Sequence, residues 1–73
     1  MVNVRKLRAH MALKGISQKE LAAAVSNCGV KMSENTLSSR MKRKSNFDCE
    51  EVDVICEILD IHDPAEKASI FLA

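Results

Sequence analysis

Aromatic residues are almost absent from this chain: there is no Trp, no Tyr, and only Phe47 and Phe71. Modules that read RNA or single strands by stacking bases on aromatic side chains lack their main tool here. Glycine is scarce as well, and Gly15 and Gly29 alone cannot build a phosphate-cradling loop. No Gly-x-Ser-x-Gly elbow and no His-Glu-x-x-His pair occurs. The acids Glu50 and Glu51 read as a helix start rather than an acid/base dyad, so the sequence does not read as an enzyme. Uninterrupted apolar runs fall far short of the roughly 20 residues that cross a membrane. The basic opening Met-Val-Asn-Val-Arg-Lys-Leu-Arg passes straight into periodic sequence, without the apolar core of a secretory signal.

Cysteine chemistry is equally thin. Cys28, Cys49 and Cys56 are an odd number, and none stands in a Cys-x-x-Cys pair. His10 and His62 are distant from them and make no zinc spacing. On one helix, Cys49 and Cys56 would lie about 10.5 Å apart along the axis. A disulfide needs Cα atoms within about 7 Å, so they cannot bridge there. These three thiols read as reduced and mostly buried in a cytoplasmic protein, with no metal and no cofactor.

What the chain does have is a recurring start signal, an apolar residue followed by a capping residue, with a second apolar residue completing the staple. Val2-Asn3 leads to Leu7, Ile16-Ser17 to Leu21, Met32-Ser33 to Leu37, and Phe47-Asp48 to Val52. Ser17-x-x-Glu20 and Asp48-x-x-Glu51 carry the full capping box. Asp63-Pro64-Ala65-Glu66 supplies an acidic cap with proline at the first helical position. No segment alternates with a period of two. This pattern predicts an all-α, compact five-helix domain spanning residues 1–73, with helices at about 3–14, 18–26, 34–43, 49–60 and 64–72. The expected core stripes are Leu7 and Met11; Leu21, Ala22 and Val25; Leu37 and Met41; and Val52, Ile55, Cys56 and Leu59. Val54 and Ile58 lie off the last stripe, which makes the fourth helix either central or covered by a partner. Ile70, Phe71 and Leu72 either close the monomer core or join a homodimer.

The formal net charge is only +1, but its distribution is not even. Residues 1–44 carry ten Lys and Arg against Glu20 and Glu34, a net of +8, while residues 45–73 carry −7. Such segregation points to a polyanion-facing surface. The competing reading is that the basic half neutralises the acidic half within the fold.

Leu7-Arg8-x-x-Met11-x-x-Lys14-Gly15-Ile16-Ser17-Gln18-x-Glu20-Leu21-Ala22 resembles the opening of the phage-repressor/Cro-like helix-turn-helix family. Ser33-x-x-Thr36-Leu37-x-x-Arg40-Met41 is similar to its recognition helix. Phe47-x-x-x-Glu51-Val52-x-x-Ile55-x-x-x-Leu59-Asp60-Ile61 looks like its fourth helix. One departure is plain: Ser26 stands where the family usually turns on glycine, and Asn27 to Lys31 are extra.

The resemblance implies a lambda-repressor-like fold and a sequence-specific, double-stranded-DNA-binding transcription regulator of phage or prophage type. The alternative is a protein-interaction module on the same fold. Under the first reading the helix at about 34–43 enters the major groove, which admits one α-helix. Glu34, Asn35, Ser38, Ser39 and Lys42 are then the expected base contacts. Asn pairs with adenine, Glu accepts from cytosine, and Ser serves either way. Gln18, Lys19, Lys31, Arg40, Arg43 and Lys44 are the expected phosphate contacts. Neither a membrane nor a small-molecule substrate is expected as partner.

Overall fold

Every helix begins where its capping residue begins it. The computed structural model describes residues 2–72. Five α-helices follow in order: α1 (Val4–Lys14), α2 (Gln18–Asn27), α3 (Glu34–Met41), α4 (Cys49–Ile58) and α5 (Pro64–Phe71). No strand occurs among the described residues, so the fold is all-α as the sequence predicts. The side chains of Asn3, Ser17, Ser33, Asp48 and Asp63 each accept a first-turn backbone N–H. A cap of this kind stabilises a helix by about 1 kcal/mol. Both predicted capping boxes close, with Ser17 N–H donating to Glu20 Oε1 at 2.9 Å and Asp48 N–H to Glu51 Oε1 at 3.1 Å.

The helix ends are less regular than expected. α3 stops at Met41 and α4 at Ile58, each about two residues before the predicted limit. In both cases the chain turns through a left-handed residue, Arg43 (φ 63°) or Asp60 (φ 57°). The carbonyls freed at the last turn are then satisfied from beyond the helix. Lys44 N–H donates to Ser39 O at 2.9 Å, and Ile61 N–H to Cys56 O at 2.8 Å. Gly15 makes the same ending for α1, as its lack of a Cβ suits.

The predicted stripes converge on one core. Leu7, Leu21, Val25, Leu37, Ile55 and Ile70 are its most enclosed members. α2 packs on both α3 and α4, while α1 packs on α5. Asn3 N–H donates to Ile70 O at 2.5 Å, joining the start of α1 to the end of α5. Ile70 and Phe71 are buried within the single chain, and the Phe71 ring meets Phe47 edge-on at 5.4 Å. Of the terminal apolar trio only Leu72 is left outside, 79% exposed.

Three expectations need correcting. Cys56 is buried, but Cys28 and Cys49 are exposed. Cys28 caps the end of α2 and Cys49 opens α4, positions that point away from the core stripes. Val52 is only half-buried, and its place in the α4 core is taken by Glu51, a carboxylate, 3% exposed. Val54 and Ile58 are half-buried against the core, so α4 is neither fully enclosed nor bare.

Candidate nucleic-acid interface

α3 is short, and its two buried residues determine which side it shows. Leu37 and Met41 face inward. The helical step of 100° then turns Asn35 outward, and Glu34, Asn35 and Lys42 are exposed. Ser38 and Ser39 lie beside them, half-buried. The five residues predicted to touch bases therefore share one helix and its cap, with Lys42 occupying the cap position itself. Thr36 is occupied locally, its hydroxyl accepting from Ser33 Oγ at 3.0 Å.

The connector between α2 and α3 contains the residues that depart from the helix-turn-helix pattern. Ser26 holds it: its hydroxyl donates to Met32 O at 2.5 Å and accepts from Met32 N–H at 3.4 Å. Met32 is buried and Val30 half-buried in the core cluster. The extra residues thus fold back on the end of α2, and α3 still packs against α2. A serine in the glycine's usual place does this work through its side chain.

The residues predicted to contact phosphate divide into two groups. Lys19, Lys31 and Lys44 are exposed and, among the described residues, have no acidic partner. Gln18, the first residue of α2, is half-buried beside the free N–H groups of that helix start. Glu20 lies in the same turn, so the positive end of α2 is partly answered from within. Arg43 is exposed, and its Nε donates to Val2 O at 3.2 Å.

Arg40 belongs to neither group. Its Nε donates to Glu51 Oε1 at 2.6 Å and its Nη2 to Glu51 Oε2 at 3.0 Å. The remaining Nη1 donates to Ser45 Oγ at 2.7 Å. The hydrogen bonds to Glu51, and then its charge, hold the Arg40 pKa above the ordinary guanidinium range. Arg40 is accordingly corrected from a phosphate contact to a strut between α3 and α4. Arg40 lies on α3 and Glu51 on α4, so no spacing rule within a helix announces the pair. The visible sign was Glu51 itself, a capping-box acid seated beside the core stripe of α4.

The segregated charge can now be traced side chain by side chain. Among the described residues, only Lys14 and Arg40 of the ten basic residues in the first half pair with an acid. Their partners, Asp60 and Glu51, lie in the second half. Neutralisation inside the fold therefore explains two of the ten cations. The remaining eight make no ion pair among the described residues.

The described residues form a small all-helical domain in which no helix is long and apolar enough to cross a membrane. The chain belongs to the family described as a domain of unknown function (DUF6471), whose sequence model matches residues 4–48. That match covers α1 to α3 and reaches the cap of α4, the portion that carries the excess positive charge. No curated protein and no solved structure matches the chain.

Proposed function

We propose that this domain is a sequence-specific double-stranded-DNA-binding transcription regulator of the phage-repressor/Cro-like helix-turn-helix type, working in the cytoplasm without catalysis. The observation that carries the reading is the set of cations in residues 1–44 that make no ion pair among the described residues. Like charges close together on a surface repel, more so at low salt, and a partner's counter-charge relieves that repulsion. A polyphosphate backbone supplies it in a regular array. In this reading α3 lies in the major groove, with Asn35 bidentate to adenine and Glu34, Ser38, Ser39 and Lys42 completing the base contacts. Lys19, Lys31, Arg43 and Lys44, with Gln18 at the start of α2, hold the flanking phosphates.

One experiment tests both the partner and the assignment of roles. Wild type, Asn35→Ala and Lys44→Ala are titrated against mixed and selected duplexes at several salt concentrations. Four phosphate-bound cations predict a slope of log K against log salt of about −3 to −4 per subunit. Lys44→Ala should weaken binding to all sequences and make that slope shallower by about 0.9. Asn35→Ala should instead lower discrimination between sites by about 1–3 kcal/mol at an unchanged slope. Absence of binding in about 50 mM salt would refute the reading. Identical behaviour of the two variants would remove α3 from the groove.

A further inference from the structure

A groove of about 490 Å³ opens between the loop after α3, the first turns of α4 and the face of α5. That size falls within the range of small-molecule sites, roughly 300–1,000 Å³. Its apolar lining comes from Val2, Phe47, Val52, Ala68, Phe71 and Leu72. Phe47, Val52 and Ala68 are only half-buried and Leu72 is 79% exposed, so the groove presents apolar surface to water.

The charged groups around it are unequal. Lys67 is taken up by Asp53, Nζ to Oδ1 at 2.7 Å. Asp48 is turned to the start of α4, where its Oδ1 accepts Glu51 N–H at 2.9 Å. Arg43 is the lining cation without an acidic partner among the described residues. Its Nε is held by Val2 O, and among the described residues neither Nη meets an acceptor. Ser45 stands beside it in the lining, and its hydroxyl oxygen already accepts from Arg40 Nη1. The Ser45 O–H is therefore free to donate.

Arg43 also occupies a left-handed position, φ 63°, where glycine would fit at no steric cost. Arg43 takes that conformation at the turn that ends α3, as Asp60 does after α4, and the turn carries its side chain to the groove rim.

We infer that this groove binds a small amphiphilic carboxylate, with its alkyl or aryl tail on the Phe47–Phe71 side and its carboxylate on Arg43 Nη and the Ser45 hydroxyl. A planar guanidinium suits a carboxylate, and the apolar lining excludes ions that have no tail. The site shares Arg43 with the proposed phosphate contacts, so a bound carboxylate and DNA would compete for that guanidinium. Octanoate binding in the absence of DNA does not depend on how α3 meets DNA.

Octanoate and its neutral counterpart octanol, both below micellar concentration, are the probes, followed on the full chain by amide NMR titration. Octanoate should give saturable shifts at Val2, Arg43, Phe47 and Ala68, and should bind roughly tenfold or more tighter than octanol. Arg43→Gly should erase that preference while the melting temperature holds or rises, because glycine suits the left-handed position. Arg43→Gln, which keeps a side chain, should erase it as well. Ala68→Phe, checked for native circular dichroism, should block both probes. Shifts that do not saturate, equal affinities in wild type, or a preference surviving both Arg43 variants would overturn the site.

Discussion

Arg40 and Glu51 show how one pair can decide the behaviour of a domain this small. Glu51 has a side chain 4% exposed and Arg40 one 20% exposed, so both charges are largely removed from water. Their mutual hydrogen bonds compensate for that desolvation, and removing one partner strands the other. Arg40→Ala should therefore lower stability by about 3 kcal/mol in urea unfolding. A domain of this length has only about 4–11 kcal/mol in total, so that loss is a large fraction. Replacing both residues by Met should cost less than the single truncation, because no charge is then buried alone. A phosphate-contacting arginine would behave differently, with affinity for DNA falling while the unfolding midpoint stayed in place. Arg43 is the opposite kind of residue. It sits on the surface in a conformation that disfavours it, and its cost is local.

At the scale of elements, residues at the two ends of helices carry the pH dependence. Glu20 is held below the usual carboxylate range by the backbone N–H of Ser17, with the Ser17 side chain adding to it. Asp60, at the left-handed end of α4, is lowered first by its hydrogen bond from Lys14 and then by that ammonium's charge. Both pKa values are lower folded than unfolded, so near pH 4 the unfolded chain binds more protons. The stability they contribute is present above the unfolded values and is lost as pH falls through the folded ones. The melting temperature should therefore drop between about pH 5 and pH 3. Glu20→Gln keeps an acceptor for the Ser17 N–H but cannot titrate, and should flatten part of that drop. The helix starts that carry this effect were legible in the sequence, because caps are local, residues three apart with a defined chemistry. The ends of α3 and α4 were not, since Arg43 and Asp60 give no sign of the left-handed turn that glycine announces at Gly15. The face of α3 was readable from Leu37 and Met41, and its exposed Asn35 and Lys42 stand where that periodicity puts them. Arg40 was misread because its partner comes from another helix, and tertiary pairing leaves no period. The hold of Ser26 on Met32 was hidden for the same reason.

For the whole molecule, the open question in the sequence was whether the terminal apolar residues serve one chain or two. Ile70 and Phe71 are buried within the one chain, while Leu13 and Leu72 are exposed and Val54 and Ile58 half-buried. If the proposed regulator pairs on a palindromic site, Leu72 is the terminal residue left for that contact. In sedimentation velocity, Leu72→Asp should leave the fold intact and shift any dimer toward monomer. Ile70→Asp, at a position with no exposure, should unfold the chain instead. A dimer that survives Leu72→Asp unchanged would place the contact elsewhere. The backbone hydrogen bond from Asn3 to Ile70 has a consequence of another sort. It brings residues from opposite ends of the described chain to adjacent positions and ties the start of α1 to the end of α5. The α1–α5 contact is the one most distant along the chain, and closing it is the slowest kind of step for a folding polypeptide. Linking residue 72 to residue 2 and opening the chain in the connector before α3 would make that contact local without moving a helix. The order in which the helices are strung is thus separable from the shape they make.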